Sequence, residues 1–202
     1  MGYESNILKY RHLFFPGLIT FFLLASATPR VYGQTGKILF WEKDSVLKWS
    51  DFRGQPDPHS AFDAFNRAGD TVLYHWKHIN GGYLINFSIH TVFYCDYSWV
   101  KAGKETDRLL RHEKIHFDIA EFFKRQILNA LNKFKYSENF RDEIDRIQKE
   151  GDRERGEMQT LYDNQTAHSR NTAQQVKWEE YVEDILAHDY SLSEALQKEP
   201  GT

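Results

Sequence analysis

Two periodicities divide the chain. From Thr71 to Cys95 apolar positions recur at every second residue, the repeat of a β-strand. The stretches TVLYHWKHI and YLINFSIHTVFYC carry the β-branched and aromatic residues that suit strands. Asn80-Gly81-Gly82 between them predicts a hairpin. In the second stretch Ile85, Phe87, Ile89, Thr91 and Phe93 share one face, which reads as core. Leu84, Asn86, Ser88, His90 and Val92 share the other, polar enough to line water or a cleft. Upstream, KILFW reads as a short strand, and Gly54 to Ser60 as a loop.

From Lys104 the repeat becomes helical. Leu109, His112, His116, Ile119, Phe123, Ile127, Ala130 and Phe134 recur at steps of three and four and predict one long helix. KYSENF ends it, with Ser137 as N-cap of a second helix carrying Phe140, Ile144, Ile147, Met158 and Leu161. Gly151 and Gly156 predict a weakened, kinked middle, and QKEGDRERGE a solvated face. A third helix holds Trp178, Tyr181, Val182, Ile185 and Leu186, and the polar tail, residues 191–202, reads as frayed. Strands first and helices after give an α+β fold: a small antiparallel sheet on the long helix, followed by two further helices.

The first residues stand apart. Lys9 and Arg11 precede an apolar run, LFFPGLITFFLLASA, of about 15 residues, the length of a signal-peptide core and short of the roughly 20 that span a bilayer. Val31 and Gly33 fit a signal-peptidase site that frees Gln34, and Ala25 and Ala27 offer an earlier one. Residues 1–33 are therefore expected to be a signal peptide, with an uncleaved anchor as the alternative, and 34–190 a single domain. The mature chain is expected in the periplasm or outside the cell, with no membrane association after cleavage. Cys95 is the only cysteine, so no internal disulfide can form, and it reads as a small buried hydrophobe. A net charge of -3 on 202 residues gives no electrostatic reason to expect nucleic acid as a partner.

The chemistry lies in the long helix. His112-Glu113-Lys114-Ile115-His116 has the form H-E-x-x-H. Residues four apart stack on one helix face, so both imidazoles can grip one Zn²⁺. Glu113, about 100° around the helix, can take a proton from the metal's water. Otherwise both histidines are core residues satisfied by hydrogen bonds, although an unpaired polar group in a buried stripe costs about 1–3 kcal/mol. Catalytic zinc needs a third protein ligand and one open position. A second helix folding back near Ser137 brings about Glu157 to Leu161 opposite the metal. Glu157, Asp163 and His168 are the candidates; geometry favours Glu157 or Asp163, while histidine is the better ligand type.

Four pieces of sequence resemble a bacterial family of predicted secreted zinc-dependent proteases, otherwise filed as a domain of unknown function. They are WSDFRGQPD from Trp49, SWV from Ser98, LLRHEKIHFDIAE, and YDNQTAHSRNTAQQVKW, which is similar to Y-D-x-x-T-x-H-G followed by Q-x-x-W. The resemblance runs from about Trp49 to Trp178. It implies roles for His112, Glu113, His116, Tyr162, Asp163, Thr166 and His168, and it favours His168 as third ligand with Asp163 orienting a histidine. Ser169 stands where the family carries Gly, which makes a left-handed turn there harder.

The expectation is a zincin-like metallopeptidase acting on a peptide or protein substrate, with Zn²⁺ held by His112, His116 and His168 or Asp163, Glu113 as base, and Tyr162 at the oxyanion. The aromatic hairpin is expected to hold an extended peptide by strand addition. The alternative, from another class, is a non-catalytic exported binding module with a closed structural metal site.

Overall fold

The two-residue repeat becomes a long hairpin and the helical repeat a pair of antiparallel helices. The structure is a computed structural model and describes residues 36–44 and 46–198; the expected signal segment lies outside them. Among the described residues the strands are β1 (Ile38–Phe40), β2 (Ala64–Phe65), β3 (Ala68–Ile79), β4 (Gly82–Tyr94) and β5 (Trp99–Val100). The helices are α1 (Asp107–Lys133), α2 (Phe140–Thr166), α3 (Thr172–Ala187) and α4 (Leu192–Gln197). This is a mixed α+β architecture with two small antiparallel sheets, β1-β4-β3 and β2-β5.

The hairpin pairs β3 with β4 from Ala68↔Phe93 to Ile79↔Gly82, turning through Asn80 and Gly81. Gly81 has φ +91°, a conformation that costs a side chain but not glycine. The faces divide as the alternation predicts: Ile85, Ile89, Thr91 and Phe93 are buried, while Leu84, Asn86, Ser88 and His90 are exposed. Val92 departs from the pattern and is buried, at the end of β4 that both β1 and β3 flank.

Helix α1 is the axis of the molecule. The Thr106 hydroxyl caps it, accepting from the Leu109 N–H at 3.2 Å. Three apolar clusters meet on it. Ile115, Ile119, Phe122 and Phe123 pack with Met158 and Tyr162 of α2 and Trp178, Tyr181, Val182 and Ile185 of α3. Ile127 and Leu131 pack with Ile85 and Ile89 of β4 and with Phe140 and Ile144. Phe117 joins Phe93, Cys95, Phe52 and Leu47. Fully burying such side chains is worth about 1.5–3 kcal/mol each, so α1 is held from three sides.

The turn into α2 differs from the expected cap. Ser137 sits ahead of the helix, its hydroxyl and N–H donating to the Glu143 carboxylate at 2.6 and 2.9 Å, and α2 begins at Phe140. The helix then runs unbroken through both glycines. Gly151 serves a close crossing instead: a Cβ there would lie 2.3 Å from Ile127 Cγ1. The charged stretch is mostly solvated, but Arg155 reaches inward to Asp70 at 3.1 Å. Leu161 is exposed, and its neighbour Tyr162 fills the core. The described part of the tail, to Lys198, forms structure of its own. Ser191 and Glu194 form a capping box for α4, and Ala195 is buried with its carbonyl accepting from Tyr181 Oη at 3.2 Å.

Candidate metal centre

The α1–α2 crossing brings one carboxylate to the two histidines. His112 Nε2 and His116 Nε2 each lie 3.1 Å from Asp163 Oδ1 and 3.2 Å from each other. His116 and Asp163 are equidistant in sequence from the Asn139–Phe140 boundary, where α2 starts. A pivot at Ser137 would have met α2 a turn earlier, at the window that includes Glu157. Glu157 in fact faces solvent, paired with Arg153.

A buried amide fixes the tautomer of His112. Gln175 Nε2 donates to Glu179 Oε1 at 3.2 Å, which sets Gln175 Oε1 as the acceptor for His112 Nδ1 at 3.2 Å. In the neutral ring Nδ1 therefore carries the proton and Nε2 presents a lone pair. Asp163 Oδ1 presents lone pairs as well. Burial works against the Asp163 charge, but the contacts with His112 and His116, whose protonated rings favour the carboxylate, outweigh it and hold the carboxyl well below the usual range. A neutral His116 has one Nε2 proton at most, so the His112–Asp163 contact is left with lone pair facing lone pair. With neutral rings, a metal cation at the centre would relieve that repulsion, as a proton on His112 Nε2 would without one.

The spacing fits zinc. Ligand atoms about 2.0–2.1 Å from a tetrahedral zinc are about 3.3 Å apart, close to the 3.1–3.2 Å edges of this triangle. His112 is 3% exposed, His116 13% and Asp163 27%, so the triangle opens to solvent on the Asp163 side. These three side chains form a possible metal-binding triad.

Around the triad the other expected residues take distinct places. Glu113 is 4% exposed; burial pushes its carboxyl up to about 7, while the charges of His112 and Asp163 pull in opposite directions. Its carbonyl accepts from Asn66 Nδ2 at 2.6 Å. Tyr162 is fully buried, its ring stacked on His112 at 4.5 Å between centroids, and its hydroxyl donates to Gln175 Oε1 at 2.9 Å. Burial raises that hydroxyl well above its ordinary pKa. The geometry makes Tyr162 a brace for His112, with its hydroxyl committed away from solvent. Thr166 is buried too, donating to the Tyr162 carbonyl at 2.7 Å. His168 sits one step out, with Nδ1 3.3 Å from Asp163 Oδ1 and 41% exposed, in contact with the carboxylate but outside the triad. Ala167, His168 and Ser169 all have positive φ (48°, 50° and 72°), so the turn that ends α2 is left-handed without glycine.

Gln175 and Asn66 escaped the sequence reading. Gln175 lies 63 residues from His112; its only signal was the Q-x-x-W piece, which Gln175 and Trp178 form. Nothing in the local sequence marks Asn66.

Residues 98–169 match a family described as "Bacterial protein of unknown function (DUF922)". The matched segment is just over a third of the chain and contains every candidate ligand. No curated protein and no solved structure matches the chain. Among the described residues no helix is long and apolar enough to cross a membrane.

Proposed function

We propose that the chain is an exported zinc-dependent hydrolase of the zincin type, acting as a peptidase. One observation carries the reading: the His112, His116 and Asp163 lone pairs converge at zinc spacing beside a buried Glu113, and the triangle opens to solvent. Export is proposed from the charged and apolar pattern of residues 9–33.

Each side chain then has a task. His112, His116 and Asp163 hold the cation, and Gln175 keeps the proton on His112 Nδ1 so that Nε2 stays a donor. Zinc held there would supply a Lewis acid for a carbonyl and a more acidic water, and its charge would favour the ionised form of Glu113. The Glu113 carboxylate accepts a proton from the attacking water and delivers it to the leaving amine nitrogen.

A second reading has its own observation. His168 Nδ1, 3.3 Å from Asp163 Oδ1, stands near enough to supply a fourth protein ligand, which makes the site structural and the protein a binding module. The Glu113→Gln variant separates the two. A peptidase keeps its zinc and loses about 10²–10⁴-fold in peptide turnover, the usual contribution of a general base. Turnover equal to the parent's removes Glu113 from the chemistry and leaves the structural reading.

A further inference from the structure

A cavity adjoins the triad. It encloses about 230 Å³ and is walled by Asp63, Lys104, Thr106, Arg108, His168 and Arg170, among others. That is below the roughly 300–1,000 Å³ of pockets that hold a whole small molecule, so it suits one residue of a longer ligand. His168 is the shared wall: it lines the cavity while its Nδ1 touches the Asp163 carboxylate. The Phe62 ring packs on His168 at 4.9 Å between centroids, an apolar lip beside the charged wall. Thr106 precedes His112 by six positions, about 9 Å along a helix axis at about 1.5 Å per residue. An extended peptide advances about 3.3 Å per residue. A peptide whose reacting carbonyl lies at the triad therefore reaches the cavity within about two or three residues.

The wall has unmatched positive charge. Lys104 is paired with Asp63, Nζ to Oδ1 3.4 Å. Arg108 and Arg170 are exposed, and among the described residues neither has an ion-pair partner. Elsewhere Arg53, Arg111, Arg125, Arg153 and Arg155 are engaged by carboxylates, and Arg141 and Arg146 lie over aromatic rings. Two free guanidiniums on one small cavity recognise a carboxylate, which matches their planar fork of donors.

We propose that this cavity is a subsite for a substrate carboxylate, so that cleavage falls within two or three residues of an acidic side chain or of a free C-terminus. The cleavage half rests on the peptidase reading of the triad; the binding half stands without it.

Binding is measured on the full chain, zinc-loaded and in its Glu113→Gln form, with three tripeptides. Acetyl-Ala-Ala-Gln amide has no carboxylate, acetyl-Ala-Ala-Glu amide has one on the side chain, and acetyl-Ala-Ala-Gln acid has one at the terminus. At least one carboxylate peptide is expected to bind tenfold or more tightly than the neutral amide, and the tighter of the two identifies the source. The preference should vanish when Arg108→Gln and Arg170→Gln, both exposed positions, are added, and it should weaken as salt rises. Equal affinity for all three peptides, or a preference that survives the double substitution, overturns the subsite. A randomised peptide library digested by the parent protein gives the second readout. Cuts enriched near Asp, Glu or the free C-terminus support the subsite. Cuts without that enrichment overturn it and leave the peptidase reading intact. Carboxylate-selective binding with no cuts at all keeps the subsite and removes the peptidase reading.

Discussion

Helix α1 buries polar side chains on two faces, and they are treated differently. Towards the sheet, Glu121 is 3% exposed and fully partnered: Thr91 Oγ1 donates to it at 2.8 Å, and Lys124 and Arg125 each pair with it at 2.9 Å. Asp118 nearby accepts from Trp41 Nε1 at 2.7 Å and pairs with Lys114. Towards α2, His112, His116 and Asp163 converge, and with neutral rings they bring more lone pairs than protons. Burying polar groups is costly on both faces. The sheet face is settled by donors within the chain, whereas on the α2 face neutral imidazoles would leave lone pairs for a cation, as the proposed function requires. Polar burial alone would not have told a structural network from a site; the balance of donors and acceptors does.

The largest effect expected separates the two faces directly. His116→Ala should lower zinc affinity by at least 100-fold with little change in metal-free stability. Glu121→Ala should do the reverse, costing about 2–3 kcal/mol by leaving buried donors unmatched while zinc affinity holds. Zinc titration and denaturant unfolding on both variants check this. If Glu121→Ala lost zinc as completely as His116→Ala, the faces would be one network and the distinction would fail.

The pH dependence sharpens the same contrast. In the metal-free protein burial pushes Glu113 up to about 7 and Asp70 to about 6. Unfolded carboxyls ionise near 4.5 and 3.8. As pH rises through these windows the unfolded chain releases protons that the folded chain retains, so stability falls with rising pH, by about 3 kcal/mol from Glu113 between about pH 4.5 and 7. Zinc should abolish the Glu113 part, because it favours the ionised form, and leave the Asp70 part, which sits beside Arg155 on the sheet side. Unfolding free energies against pH, with and without zinc, read both.

A smaller loss is expected at the brace. Gln175→Leu removes the acceptor that fixes His112 Nδ1, and such supporting partners typically contribute 10–100-fold in metal affinity. The smallest effect is a gain. Ser169→Gly relieves a φ of 72°, worth about 1 kcal/mol in unfolding free energy.

How much of this was legible depended on how far each feature reaches along the chain. His112, Glu113 and His116 lie within one helical turn and a bit more, so their spacing alone brought them together. The hairpin and the stripe of α1 were legible for the same local reason. Asp163 was among three candidates because its position depends on where α2 starts, and Ser137 looked like the cap while Glu143 drew it outside the helix. Gly151 read as a weakness because sequence shows a missing side chain but not the Ile127 that occupies the space. The tail read as frayed because α4 is six residues long and has one buried anchor, Ala195. Gln175 was out of reach because its meaning is a contact across three helices.

The central claim is that the two imidazoles and one carboxylate of this triangle close on a single divalent ion. The most direct test is zinc X-ray absorption on the full chain after chelation and reconstitution with one equivalent. The account predicts one retained zinc with two imidazole ligands and the remaining ligands oxygen, at about 2.0–2.1 Å. A chain that retains no zinc, or a spectrum without imidazole scattering, would contradict it.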